Sequence, residues 1–451
     1  MALIELDLTT RPDLTPTAPP PAYRYRLPGL VLAAVLVVVL GGAAPAGSTL
    51  WRYLGAVPPP GGAETQSWLV GDRIYTVSGS GGERVTTAFA VDPKPHQLWT
   101  VHYPGRVIGP DDIGFGGGQA RQSGDNVLLS DGPATTVVDA ATGRVRWQSE
   151  VNITPLPGGR IGVVQNQVFR DGTLYDQDSG DPGLLYFSST GQPHVEPPVR
   201  TEVRGVDLAT GEQRWTVALP GSVNVLFRDS DVIVVASDRL ERIDGGTGVV
   251  QRKVGLARIG ADRPVGGDLI GGMVVIYYGQ SGSADQDVVY APDTLTRLWL
   301  HKNPEVLLDP PSCGGVLCSG PRAALDVLDP ATGRVRWRAP AAVDLGVLGD
   351  YVIETGASAG NPLRLADPAT GAARVDLTGW NDEITGNGAG MPVVLRKALS
   401  AGRSAFGVVL ADRDKVQILG ASAGPVSECN ANHAYVFCRG NDGLEIWAYR
   451  S

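Results

Sequence analysis

Very little of this 451-residue sequence is suited to long helices, and very little of it is equipped for acid–base or metal chemistry. Beyond residue 47 no long stretch keeps its apolar side chains at helical spacing, which argues against a helical bundle or an α/β layered fold. Histidine is scarce: His96, His102, His194, His301 and His433 stand singly and suggest no cluster. His96 and His102 are close in sequence but fall in turn and strand contexts, so surface positions account for both. An excess of basic residues is also missing. Residues 1–50 carry three Arg and three acidic side chains, so the formal charge of −9 lies entirely in residues 51–451. An acidic surface of that kind argues against nucleic acid as a partner and against lying flat on anionic lipid.

What the chain has in quantity is turn residues and short strand-like runs. Gly is 60 and Pro 34 of 451 residues, about a fifth together, as suits a chain that reverses every few residues. Short apolar runs such as DVIVVA at 231–236 recur between them. One phrase also repeats, Asp-x-x-Thr-Gly with Trp eight residues after the Asp. It reads DAATGRVRW from Asp139 to Trp147, DLATGEQRW from Asp207 to Trp215 and DPATGRVRW from Asp329 to Trp337. Degenerate copies run from Asp244 to Arg252, Ala291 to Trp299 and Asp367 to Val375. A one-residue-shorter copy ends at Trp99, and a fainter echo ends at Leu419. Recurrence every roughly 40–50 residues is the signature of stacked units such as propeller blades.

The physics of the phrase is that of a hairpin turn. Asp accepts hydrogen bonds from backbone amides two residues on, and Gly reaches positive φ without a Cβ clash. The Trp then lies on the outgoing strand, where a large flat ring can bury ~150–250 Å² against the next unit. A generic turn explains any one copy but not the fixed Trp offset. Trp99, Trp147, Trp215, Trp299 and Trp337 are therefore expected to be structural docking residues that seal the seams between sheets.

The phrase resembles the tryptophan-docking motif A-x-D-x-x-T-G-x-x-x-W of the pyrroloquinoline-quinone-like propeller superfamily. That superfamily includes quinoprotein alcohol dehydrogenases and the non-enzymatic assembly factor BamB. The resemblance covers residues 65–450 and implies an all-β, quinoprotein-like β-propeller. Eight outgoing-strand ends, from Trp99 to Leu419, suggest eight blades, with seven as the alternative. Two further strands, at 434–438 and 444–449, have no outgoing partner. They are expected to pair with amino-terminal material near Trp51 or Trp68, which would remove the open sheet edges.

Residues 27–47 read LPGLVLAAVLVVVLGGAAPAG without a charge, long enough to cross the ~30 Å hydrocarbon layer as a helix. Arg24 and Arg26 precede this run and only Arg52 follows closely, which keeps the amino terminus cytosolic and exports the rest. A cleaved signal peptide is the rival, since Ala44-Pro45-Ala46 fits an A-x-A site. The leading segment's 26 residues and its Glu5, Asp7 and Asp13 favour an uncleaved transmembrane anchor. The expected organisation is a short, disordered cytosolic tail at 1–26, the anchor at 27–47, a Pro/Gly-rich spacer at 48–64 and the propeller at 65–451. Cysteine usage agrees with export. The four cysteines form two local pairs in the exported part, and disulfides Cys313–Cys318 and Cys429–Cys438 are expected. Zinc is the competing reading, but the spacing is not C-x2-C and only His433 lies near either pair.

No catalytic constellation stands out. Quinoprotein dehydrogenases hold their quinone and Ca²⁺ beneath a disulfide of adjacent cysteines, and this chain has none. The pattern G-x-S-x-G occurs around Ser358 and Ser422, but each is followed by a Pro-containing turn where a nucleophile elbow needs a helix. Gly114 to Gly118 looks like a phosphate loop without the lysine or helix that such loops require. The acidic stretch from Asp171 to Asp181 lies in the longest repeat, within an insertion of about 25 residues. It fails the EF-hand pattern because Phe187 stands where a bidentate Glu belongs, and a solvated loop is the simpler account. The expected function is a non-catalytic binding or assembly scaffold at the cell envelope, without cofactor or metal. It would present one ring face to a protein or envelope polymer. The alternative is a pyrroloquinoline-quinone-dependent dehydrogenase. A composition heavy in Ala, Gly, Val and Arg suits a GC-rich bacterial genome, such as that of an actinobacterium.

Overall fold

The computed structural model describes residues 51–449 apart from 59–64, 80–81, 106–117, 177, 179, 182, 281–285, 303–312, 357–360, 385–390 and 411–413. The expected tail and anchor at 1–47 lie outside these residues. Among the described residues no helix is long and apolar enough to cross a membrane.

Among the described residues nine sheets follow one another as the blades of an all-β propeller, each built on antiparallel strands, and a tenth, two-stranded sheet lies outside them. Blade 1 runs from Gln66 to Pro104, blade 2 from Gly118 to Ser149, blade 3 from Ile153 to Pro220, and blade 4 from Val223 to Gly255. Blade 5 spans Arg263 to Lys302, blade 7 Asp344 to Asp376, and blade 8 Asp382 to Ala421. Blade 6 has three strands among the described residues, Cys318–Ser319, Leu325–Leu328 and Val335–Ala339. Blade 9 combines Val426–Ala431, Tyr435–Gly440 and Gly443–Tyr449 with the first strand of the fold, Trp51–Val57. That strand pairs from Trp51↔Tyr449 to Val57↔Leu444.

Two expectations are corrected here. The ring has nine blades rather than eight or seven, because blade 8 already owns four strands. The carboxy-terminal strands therefore need a blade of their own. And Trp51–Val57, placed in the spacer at 48–64, is the closing strand.

Ring closure shows in the packing as well as in the strand pairing. The apolar core divides into nine clusters, and each contains residues from two neighbouring blades. The last seam joins Leu54, Phe437 and Ile446 of blade 9 to Ile74 and Phe89 of blade 1. Asn432 Nδ2 donates to Gly71 O at 2.6 Å across the same seam.

The repeated phrase supplies five of the nine seams. Asp139 Oδ1 accepts from the amides of Ala141 and Thr142 and from the Thr142 hydroxyl, and Arg146 donates to Oδ2. The Arg146 and Thr142 donors hold the Asp139 carboxyl far below the usual carboxylate range. Arg214 likewise lowers the pKa of Asp207, and Arg336 with Thr332 that of Asp329. Each docking Trp then reaches into the next blade's turn. Indole Nε1 donates to the carbonyl just after the turn's first residue: Trp99 to Ala140, Trp147 to Leu208, Trp215 to Gly245 and Trp299 to Pro330, each at 2.9 Å. Trp337 donates to Pro368 at 3.2 Å. The ring lies flat on the turn's glycine. At Gly248, where φ is +75°, a Cβ would stand 2.6 Å from Trp215, so only glycine fits.

Where the Trp is missing, so is the glycine. Blade 4 ends in Arg252, and the facing turn of blade 5 carries Leu295 at φ 56°, its side chain filling the seam. Arg228 pairs with Asp293 at 2.7 Å across that seam. The seam between blades 8 and 9 is filled from the other side. Trp51 stacks on Phe406 at 5.1 Å and on Trp447 at 5.4 Å.

The structure joins both cysteine pairs as disulfides. Cys313, in a short stretch that pairs parallel with the first strand of blade 7, bonds to Cys318 of blade 6. Cys429 and Cys438 link the first two strands of blade 9 with a Cα–Cα distance of 4.0 Å.

Replacing Trp99, Trp215 or Trp337, each 6–7% exposed, by Ala should cost ~3–5 kcal/mol. The half-buried Trp147 and Trp299 should cost less. Thermal or urea melts check this, and values within ~0.5 kcal/mol of the parent for the buried three would contradict the docking role.

Candidate functional site

Among the described residues the longest insertion into a blade lies in blade 3. Its second strand, Ile161–Val168, and third strand, Arg200–Asp207, pair down to Val168↔Arg200, and residues 169–199 are inserted between them. The base of the insertion is tied by Val199 N donating to Val168 O at 2.8 Å. Within it, Tyr186–Phe187 pairs with Pro193–His194, and the turn between them closes through Ser188 N to Gln192 O at 2.8 Å. Ser188 Oγ accepts from Gln192 N at 2.9 Å and contacts Thr190 Oγ1 at 2.9 Å. Ser189 Oγ accepts from Gln167 N at 3.0 Å, which fastens the turn to the blade it left.

This turn forms the lip of a pocket of about 410 Å³ that spans blades 2, 3 and 4. Asn152, Thr154, Gln165 and Gln167 supply polar groups, while Val163, Val225 and Phe227 supply apolar wall. No acidic, basic or histidine side chain lines it. Gln165 is oriented by its amide, which donates to Val223 O at 3.1 Å across the seam between blades 3 and 4. A second hollow of about 420 Å³ shares Gln167, Ser188 and Ser189 with the first and is lined further by Phe169, Arg170 and His194.

His194 is the rigid post of the insertion. Its ring stacks on Phe169 with centroids 3.8 Å apart, and Nδ1 bonds the Thr173 hydroxyl at 3.0 Å. Burial pushes its pKa below the ordinary imidazole value, so it is held neutral.

The other histidines do not meet. His102 pairs with Glu83 at 3.1 Å on the surface, His96 bonds Lys94 O, and His301 bonds Ser319. Ser422, of the second G-x-S-x-G copy, is buried. Its hydroxyl donates to Gly424 O at 2.7 Å and accepts from Ser404 N at 2.9 Å, which is a structural role. The first copy's Ser358 and the glycines at 114–117 lie outside the described residues. In the acidic stretch, Asp176 and Asp181 accept from the amides of Asp178 and Gly183, which are local turns. Among the described residues no group of three or more His, Cys, Asp or Glu is placed to hold a metal ion. The pocket itself escaped sequence reasoning. Its residues are common amides and hydroxyls from three blades, and the one signal was the length of the third repeat.

No family model matches the chain, and no curated protein matches it either. Solved structures do. BamB from Moraxella catarrhalis is 14% identical with a TM-score of 0.36, over 73% of this chain and 96% of that one. Saccharomyces cerevisiae Sqt1 is 11% identical with a TM-score of 0.42, over 89% and 97%. Quinohemoprotein alcohol dehydrogenase ADHIIG from Pseudomonas putida HK5 is 11% identical with a TM-score of 0.37, over 89% and 76%. At these identities the likeness is one of architecture alone.

The neutral state of His194 has a pH consequence. A depressed folded pKa leaves stability intact above the unfolded value of ~6.5 and erodes it as pH falls below that, because protonation then favours the open form. The protection factors of amides in 169–199, corrected for intrinsic exchange, should therefore fall as pH drops below about 6.5. His194→Phe should abolish that pH step, and its persistence in the variant would contradict this assignment.

Proposed function

We propose that the protein is an extracytoplasmic binding scaffold of the bacterial cell envelope, held to the membrane by residues 27–47 with its amino terminus in the cytosol. The two disulfides and the acidic ectodomain support an exported location of the actinobacterial cell-surface kind. The observation that carries the binding role is the blade 3 insertion. It builds a pocket without any titratable lining and also exposes Leu174, Leu184, Val195 and Val199 to solvent. Exposed apolar side chains on a loop carried by a rigid frame are available for contact with a partner. The partner in this reading is a protein or an envelope polymer.

The pocket beneath the insertion is itself unsuited to the quinone. Pyrroloquinoline quinone is a tricarboxylate that binds with Ca²⁺, and such a ligand calls for cationic donors around it and carboxylates around the metal. The lining supplies neither.

Two measurements test the proposal. Crosslinking in intact cells should capture a partner through the full-length protein, and replacing residues 169–199 by a short Gly-Ser turn should abolish capture while the ring still folds. Addition of the quinone and Ca²⁺ to the purified protein should give neither cofactor absorbance nor dye reduction with alcohols or sugars. Saturable quinone binding with turnover would overturn the scaffold reading in favour of a dehydrogenase.

A further inference from the structure

We propose that the pocket beneath the blade 3 insertion is a site for a neutral saccharide. This deepens the binding role argued above by assigning the pocket a ligand class. The lining decides the class by what it can and cannot satisfy. A carboxylate or phosphate ligand needs guanidinium or ammonium donors, and a cationic ligand needs carboxylates. The pocket has neither kind of group. A purely apolar ligand would bury the Gln167 carboxamide and the Thr154 hydroxyl without partners, which is unfavourable.

An extended peptide binds by adding its backbone to a free sheet edge. The strand that floors the pocket, Ile161–Val168, pairs along its whole length with Arg200–Asp207; on its other edge Ile153–Pro155 covers Gly162–Val164 and Ser189 Oγ takes the Gln167 amide, which leaves too short a free edge for a peptide ladder. A sugar fits what remains. Each of its hydroxyls both donates and accepts, and so does each carboxamide and hydroxyl in the lining. Its C–H faces pack on apolar and aromatic surface, here Val225 and Phe227.

Two of the polar groups are uncommitted. The Thr154 hydroxyl and the Gln167 carboxamide make no hydrogen bond to another described residue, whereas Gln165 is already fixed by Val223. The volume of about 410 Å³ is near the lower end of the ~300–1,000 Å³ usual for small-molecule sites. That suits a mono- or disaccharide unit, such as the end of a longer envelope glycan. The Ser188–Gly191 lip is fastened by a single side-chain bond from Ser189, so the cover is local to the insertion.

The test is saturation-transfer NMR and titration of the full-length protein in a detergent without a sugar headgroup. The probes are maltose, cellobiose, trehalose and N,N′-diacetylchitobiose, with a neutral Gly-Ser tetrapeptide as the competing class. At least one saccharide should bind saturably. Gln167→Leu and Thr154→Leu, both outside the core clusters, should each weaken it about tenfold with unchanged melting. If one variant fails to fold, the other decides. No saturation by any saccharide up to ~10 mM would overturn the assignment. So would binding of the peptide alone, or saccharide binding that neither substitution alters. Capture of a cellular partner by a protein that binds no saccharide would remove this inference and leave the scaffold reading standing. Saccharide binding without any captured protein would favour an envelope polymer as the partner.

Discussion

The fold depends on one contact made repeatedly: an indole laid flat on the glycine of the next blade's turn. Each part of the contact constrains the others. The Asp of the turn holds the backbone in the shape that puts glycine at positive φ, and the missing Cβ leaves room for the ring. The indole N–H then finds a carbonyl one residue beyond the Asp. At Gly371 a Cβ would approach Trp337 to 2.4 Å, so turn and wedge cannot change independently. The blade 4–5 seam shows the same rule from the other side. With Arg252 in place of Trp, the facing position is free to be Leu295, which is 2% exposed and fills the space itself. Sealing five of the nine seams in this way, and the rest by other apolar side chains, lets the described blades share their buried faces, since no blade could bury both its faces alone.

Much of this was legible in the sequence because turn chemistry is local. Asp, Thr, Gly and Trp act within one hairpin and its immediate neighbour, so their recurrence at fixed spacing implies the geometry. The blade count was not legible to the same degree. The pairing of the carboxy-terminal strands with material near Trp51 was legible and is what the structure shows, but counting outgoing strands reads eight because the blade closed in that way adds a ninth. The Pro/Gly-rich continuation of Trp51–Val57 reads as spacer even though Trp51 is wedged between Phe406 and Trp447. The pocket was less legible still. Asn152, Gln165, Gln167 and Ser189 come from different elements, and their chemistry emerges only when the insertion folds back over blades 2 to 4.

The ring and the site answer to different pressures. Seam residues are buried and mutually fixed, whereas the insertion hangs from one strand pair and is stiffened by a few contacts, the His194–Phe169 stack foremost. Function placed on such a segment can vary in ligand without disturbing the scaffold, as is general for loops on rigid frames. The neutral pocket and the exposed aliphatic side chains therefore belong to one device, built by lengthening a single inter-strand turn.

The central structural claim is that Trp51–Val57 closes a nine-bladed ring. Hydrogen–deuterium exchange on the full-length protein tests it most directly, because ladder amides resist exchange and spacer amides do not. The amides of 51–57 should be protected as strongly as those of 443–449, and Trp447→Ala should loosen both segments together. Exchange of 51–57 at the rate of an unstructured linker, with 443–449 still protected, would contradict the closure.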